Sequence, residues 1–324
     1  MTYICADCGR EFNSDSYGWI NDVNGRYICQ DCAENYSMCT ECHEYFRTED
    51  MERDSYGNLM CEDCYHEQDD NDYGISCYHH HHGYEPTFFG DTKGNSFPYL
   101  GVEIEVDKGG QDDSTAEAVK NIMGHDFLYC ESDGSISNGF ENITQPATLE
   151  YHTSMMDRYC GAFKMLVSKG YRSHNTRTCG LHVHFNRDFF GDNDACIARL
   201  LYVTEKFWDE LSKFSRRSVD NIEQWAKKYQ KKPEEILEDM SVVYDHDRYH
   251  AINLTNENTI EFRIFRGTLN PNTFLATLQL VNNIVTFCKN VQDDKDLQNV
   301  EWEDFINTEE LKKYWEIVKD RVVS

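Results

Sequence analysis

The chain has 324 residues, 58 acidic and 31 basic, for a formal net charge of −27, and 40% of it is hydrophobic. That length allows roughly two domains. The charge argues against general nucleic-acid binding, which draws its affinity from Lys and Arg at phosphates, and against docking on anionic membrane surfaces.

The opening MTYICADC has neither the basic nor the apolar segment of a signal peptide, and no apolar run is long enough to span a membrane. Fourteen cysteines in such a chain favour metal binding over disulfides and a cytoplasmic location, that of a phage-infected host included. Eight of them fall in paired CxxC knuckles: Cys5, Cys8, Cys29, Cys32, then Cys39, Cys42, Cys61, Cys64. ICADCGREF…GRYICQDC and MCTECHEYF…GNLMCEDC are two copies of one pattern with a period of roughly 33 residues. Each copy has a knuckle, an aromatic (Phe12 or Phe46), a Gly-bearing turn and a second knuckle. Cross-braced pairing is possible, but each copy carries a full ligand set, which favours sequential pairing. Four cysteines per ion leave no open position, so two Zn2+ ions would be structural. The modules, residues 1–65, resemble LIM-like or zinc-ribbon units, and docking a protein partner, presenting substrate and holding the catalytic domain all stay open as their task. The acidic Glu41, Glu44, Glu49, Asp50 and Glu52 make DNA the least supported partner.

Residues 66–97 read as a polar linker. Within it, Cys77 and His79, His80, His81 and His82 read as a solvated tract rather than a third metal site.

From residue 98 strands and helices mix. LGVEIEVD places Glu103 and Glu105 on one strand face, and Val102, Ile104 and Val106 on the other. Ser114-x-x-Glu117 reads as a capping box. In ESDGSISNGFENITQP, Asp133 sits in a Gly-bearing turn, Glu141 faces away from Phe140, and Pro146 ends the strand. A helix over 153–169 stops at Gly170. CGLHVHFN sets His182, His184 and Asn186 against Leu181, Val183 and Phe185. One helix follows over 195–214. Arg248 and Asn253 precede TIEFRIFR, where alternation puts Glu261, Arg263 and Phe265 on one face and Ile260, Phe262 and Ile264 on the other, with Arg266 at the end. Helices follow after Pro271 and from Asn307-x-x-Glu310. Taken singly, each polar row also fits an ordinary wet strand face.

Taken together and in this order, GVEIEV, DGS…GFE…TQP, GLHVHFN and AINL…TIEFRIFRGTL resemble the amidoligase family. That family is similar to glutamate–cysteine ligases and glutamine synthetase. The resemblance covers about residues 98–290. It implies an α+β fold, a curved antiparallel sheet with helices on one side, in a catalytic domain over 98–324. It implies ATP with Mg2+ or Mn2+, an acyl phosphate, and an amine that displaces phosphate to give an amide. By the same resemblance Glu103, Glu105, Glu141 and Glu261 would be metal ligands, with Glu105 also lining the cofactor site. His182 or His184 would contact metal or ATP phosphate, and Arg263 and Arg266 the transferring phosphoryl group. Arg248 and Asn253 would line the pocket, and Asp133 would hold the amine. NITQP departs from the family, so the loop near Gln145 would shape a distinct pocket. The rival readings are a metal-dependent hydrolase on the HxH strand and a non-enzymatic zinc-finger adaptor.

Overall fold

The structure, a computed structural model, describes residues 2–13, 18–40, 42–53, 58–66, 74–76, 86–90, 96–191, 193–238, 241 and 247–323. Cys77 and His79–82 lie outside the described residues. The chain divides into two compact units, residues 1–85 with 131–134, and residues 86–130 with 135–324.

In the first unit one succession occurs twice. β1 (Thr2–Ile4) pairs with β2 (Glu11–Asn13), β3 (Ile20–Asn21) with β4 (Tyr27–Ile28), and α1 (Gln30–Ala33) follows. Then β5 (Tyr36–Met38) pairs with β6 (Tyr45–Arg47), β7 (Met51–Arg53) with β8 (Leu59–Cys61), and α2 (Glu62–His66) follows. Each first knuckle lies in the loop of its first hairpin, and each short helix carries the last cysteine. Phe12 and Phe46 pack on their own cysteine clusters, which explains the aromatic after each knuckle. Asp7 joins the copies: its carboxylate accepts from Tyr36 Oη at 3.1 Å and pairs with Arg47 at 2.7 Å. The Val23 N–H also donates to the Tyr45 carbonyl at 3.0 Å.

The second unit is built on a six-stranded sheet: β9 (Leu100–Val106), β10 (Leu128–Glu131), β11 (Phe140–Thr144), β12 (Gly180–Asn186), β13 (Ile252–Asn253) and β14 (Thr259–Arg266), in the order β10-β11-β9-β12-β14-β13. The pairs β11–β9, β9–β12, β12–β14 and β14–β13 are antiparallel, so the architecture is mixed α+β. Val102, Ile104, Val106, Leu181, Val183, Phe185, Ile260 and Phe262 are each at most 1% exposed. Burying such side chains stabilises by about 1.5–3 kcal/mol apiece, which fixes the register of every strand.

One expectation of alternation fails. Val183 pairs with Phe262 but Leu181 with Phe265, so Arg263 and Ile264 both lie opposite His182. This β-bulge turns Phe265 to the apolar side, where its ring stacks near Phe262 at 6.2 Å. Phe265 does not share a face with Glu261 and Arg263.

Helices α3 (Asp113–Met123), α4 (Leu149–Ser154), α5 (Met156–Ser168), α6 (Asp194–Lys206), α7 (Trp208–Ser215), α8 (Val219–Trp225), α9 (Pro233–Glu238), α10 (Pro271–Asn290), α11 (Asp296–Asn299), α12 (Trp302–Phe305) and α13 (Glu309–Val318) complete the unit. The cap of α3 is Asp112, which accepts from the Ser114 and Thr115 N–H groups; that of α13 is Thr308, which accepts from Leu311. Both lie one or two residues before or after the expected caps, because Asp and Thr at these positions reach the free amides first. The expected helix over 153–169 divides at Met155, and that over 195–214 at Phe207. Gly170 stops α5 at φ 99°, as expected. No described helix is long and apolar enough to cross a membrane.

His152 is fully buried between α4 and the sheet. Its Nε2 donates to the Leu100 carbonyl at 2.8 Å, so Nδ1 accepts from Tyr159 Oη at 2.9 Å. Burial pushes its pKa from 6.5 down to about 4, against the opposing pull of the Leu100 carbonyl. The unfolded chain takes up that proton near 6.5 and the folded chain only near 4. Stability is therefore expected to fall by about 3 kcal/mol as pH drops through this window. Urea unfolding on either side of it should show that slope, and His152→Gln should flatten it. An unchanged slope would contradict this.

Candidate active site

The polar row expected from the strands is assembled by cross-strand register. Glu105 on β9 lies opposite Glu141 on β11; Glu103 lies opposite His182 on β12; His184 lies opposite Glu261 on β14; Glu261 lies opposite Asn253 on β13. Four strands thus bring four carboxylates and two imidazoles to one face.

The distances are short. His182 Nδ1 is 2.8 Å from Glu103 Oε2, 3.5 Å from Glu261 Oε1 and 3.8 Å from Glu105 Oε1. His184 Nε2 is 2.9 Å from Glu103 Oε1 and 3.9 Å from Glu261 Oε1. On the other side of that ring, Nδ1 meets Thr259 Oγ1 at 3.2 Å, which aims Nε2 at the carboxylates. Arg263 donates to Glu261 Oε1 at 2.7 Å, and Asn253 Nδ2 donates to Glu261 Oε2 at 2.7 Å. The Asn253 amide is held in turn by Thr255, which donates to its Oδ1. Glu105 accepts the Gly180 N–H.

The charges are stacked against burial. Glu105, Glu141 and Glu261 are 3%, 7% and 2% exposed. Carboxylates directly opposite one another destabilise a sheet unless a cation lies among them. Burial pushes the Glu103 carboxyl up, but His184 and His182 outweigh it and hold it well below the usual range. Burial pushes His184 down, but Glu103 and Glu261 outweigh it and raise it to about 9.

The donor set fits a divalent cation. Ligand atoms of Glu103, His184 and Glu261 all lie within 4.8 Å of one another. His184 Nε2 is buried and aimed at Glu103 Oε1, 2.9 Å away, so two atoms able to ligate a metal converge there. The cysteines fit as well. Cys5, Cys8, Cys29 and Cys32 form one such group and Cys39, Cys42, Cys61 and Cys64 another, so the grouping is sequential and not cross-braced. Cys8 Sγ lies 3.8 Å from Cys29 Sγ, and Cys42 Sγ 3.9 Å from Cys61 Sγ. A tetrahedron of thiolates at about 2.3 Å from zinc has edges of roughly 3.8 Å. Backbone N–H groups of Cys29 and Cys61 point at Cys5 and Cys39 Sγ, both at 3.3 Å.

Residues 128–285 match the family described as "Putative amidoligase enzyme". That stretch carries Glu141, His182, His184, Glu261 and Arg263; the β9 strand with Glu103 and Glu105 precedes it. Two solved structures are similar in part. "Apo GmaS without ligand" is 11% identical with a TM-score of 0.36, over 68% of this chain and 68% of that one. "GmaS/ADP complex-Conformation 1" is 13% identical with a TM-score of 0.38, over 69% of this chain and 68% of that one. No curated protein matches the chain.

Other residues singled out in the sequence lie elsewhere. Asp133 is half-buried in the loop after the edge strand β10. Arg248 is exposed, its guanidinium 5.7 Å over the Tyr249 ring. Asn186 accepts from the Tyr99 N–H and anchors the start of β9. Arg266 follows the bulge and donates to Asn175 Oδ1 at 2.6 Å, lining a separate cavity.

Arg217 was not singled out. It is 5% exposed and donates to the Arg263 carbonyl at 2.5 Å. Burial lowers its pKa to about 10, while Glu105 pulls the other way. An Arg-Arg pair after a helix reads as a surface charge. The available signal was its position just past Phe214 and Ser215, where the amphipathic pattern of α7 ends.

Proposed function

We propose that residues 98–324 are an ATP-dependent carboxylate–amine ligase, joined through the 66–97 linker to two structural zinc modules over 1–65. The observation that carries the reading is the meeting of Glu103, Glu105, Glu141 and Glu261 with His182, His184 and Arg263 on one sheet face. The family match over 128–285, which takes in the strands of Glu141, His182, His184, Glu261 and Arg263, supports it.

In the reaction, a substrate carboxylate oxygen attacks the γ-phosphorus of ATP and the bond to the β-phosphate oxygen breaks, releasing ADP. The amine then adds to the acyl phosphate carbon, loses a proton and expels inorganic phosphate, leaving an amide. Glu103, Glu261 and His184 would hold a Mg2+ or Mn2+ ion, with Glu105 and Glu141 beside them. Such an ion supplies charge neutralisation at the phosphate oxygens. Arg263, locked by Glu261, places a fixed positive charge where the transferring phosphoryl group develops negative charge. His182 is gripped by three carboxylates and orients them. Asn253 holds Glu261. The family resemblance alone keeps Asp133, a residue of the first unit, as the candidate for the amine, and Arg248 for the nucleotide rim. The acidic zinc modules suit a protein partner.

A hydrolase on the HxH strand would need both imidazoles on one ion. Among the described residues only His184 joins the ligand group.

Gly180 gives a local test. A Cβ there would lie 2.5 Å from His182 Nε2 and 3.2 Å from an Arg217 nitrogen. Gly180→Ala is expected to displace His182 and cut turnover roughly 100-fold, the scale of a misplaced catalytic group. Turnover at the parent rate would contradict that placement.

The reading is tested by ADP release from MgATP across a panel of amino acids, peptides and polyamines. An acid and an amine that together stimulate ADP release, with one amide formed per ADP, are expected. ATP-independent hydrolysis of amides instead would overturn it.

A further inference from the structure

A cavity of about 460 Å3 lies in the same unit, a size suited to a ligand. Five of the chain's 15 arginines line it: Arg177, Arg216, Arg217, Arg266 and Arg321, against one carboxylate, Asp220. In a chain of net charge −27 such a concentration of guanidinium groups is not background. Among the described residues no carboxylate comes within ion-pair distance of any of the five.

The arginines are held in place against their mutual repulsion. Arg217 is 5% exposed. Arg216 sits at φ 62°, a left-handed position sparsely used by residues other than glycine, and its Nε is buried with no hydrogen-bond partner. Arg216 and Arg266 each contribute a guanidinium to the wall, and Arg216 donates to the Arg266 carbonyl at 3.3 Å. Burial depresses Arg216 most, Tyr314 opposes it, and Arg266 and Arg321 lower it further. Like charges gathered in this way call for an anion of matching charge.

Arg217 also ties the cavity wall to the sheet. Its NH1 bonds the Arg263 carbonyl and its NH2 lies beside Gly180, against which His182 packs. Arg217, a residue of the cavity wall, thus touches β12 at Gly180 and β14 at Arg263, the strands that carry His182 and Glu261.

We propose that this cavity seats the distal carboxylates of the acid being activated, so that the acid substrate is a polycarboxylate, of the charge pattern of a short run of glutamates, and not a simple monocarboxylate. The proposal rests on the ligase reading for the word substrate. Its binding half stands on the arginines alone.

The test uses the zinc-loaded full chain with no Mg2+ or Mn2+ added. Calorimetry would compare triglutamate, citrate, glutamate and ADP on the parent and on Arg177→Ala/Arg321→Ala, two rim residues outside the proposed catalytic set. Triglutamate is expected to bind at least about tenfold more tightly than glutamate and to weaken about tenfold or more in the double variant. Arg177→Lys/Arg321→Lys should restore part of it. Citrate matching triglutamate would assign the site to compact polycarboxylates, and triglutamate alone to a peptide chain; both support the proposal. Triglutamate binding no tighter than glutamate would overturn it. So would ADP competing for the cavity and weakening equally in the double variant, which would make it a phosphate site. Glutamate-stimulated ADP release with no triglutamate binding would overturn this proposal and leave the ligase reading intact. Triglutamate binding with no acid-stimulated ADP release would do the reverse.

Discussion

Glu261→Gln is expected to lower nucleotide turnover by about three orders of magnitude while leaving the fold in place, the scale on which fixed charges act at a phosphoryl transition state. Glu261 is the residue most constrained at the site. One of its oxygens accepts from Arg263 and the other from Asn253, and His182 and His184 approach it at 3.5 and 3.9 Å. A carboxamide has one oxygen and one NH2 where two acceptors are required. Whichever way it is turned, an N–H faces Arg263 or Asn253. The variant therefore loses a proposed metal ligand and releases Arg263 together. The opposite face of β14 is untouched, since Ile260 and Phe262 remain in the core at 0% and 1% exposure. Steady-state ADP release and thermal unfolding should be measured together. Parent-rate turnover would remove Glu261 from the site, and loss of the folded state would show that the carboxylate serves packing instead.

Cys61→Ser is the second large effect. The purified chain is expected to hold about two zinc ions, and this variant about one. Cys61 is 3% exposed, its Sγ lies 3.9 Å from Cys42 Sγ, and its own N–H points at Cys39 Sγ. Among the described residues, the second module's core beyond the cysteines is Met60 with partly buried Phe46, Met51 and Tyr65. So small an apolar cluster does not hold a chain folded without metal, and structural zinc supplies on the order of 10 kcal/mol in such modules. Metal content by mass spectrometry and proteolysis of the first 66 residues should change together. Two zinc ions retained in the variant, or none in the parent, would contradict the assignment.

How much of this was legible in the sequence depends on the interaction range. The knuckles were readable because a CxxC ligand pair is local and its repeat exposes the grouping. The polar faces of β9, β12 and most of β14 were readable because strand alternation is local too, so Glu103, Glu105, His182, His184 and Glu261 were found before any register was known. The bulge at Arg263–Ile264 was not, since nothing in TIEFRIFR marks where two residues will face one. It reversed Phe265 and sent Arg266 toward the arginine cavity. Arg216 and Arg217 escaped for a related reason. Their meaning comes from Gly180, Arg263 and Arg266, 37 to 50 positions away in sequence, and loop arginines carry no periodic signature. Asp112 and Thr308 displaced the expected caps because competition for a helix's first amides is decided by backbone geometry at single residues.

The central claim is that this sheet face clamps a divalent cation together with a nucleotide's phosphates. Mn2+ electron paramagnetic resonance on the full chain, with and without ADP, addresses it directly. Bound Mn2+ whose signal changes on adding ADP, lost in both Glu103→Gln and Glu261→Gln with zinc content unchanged, is the outcome this geometry requires. Mn2+ and ADP binding that survive both substitutions, or ADP binding indifferent to the metal, would mean the carboxylates and histidines meet for another purpose.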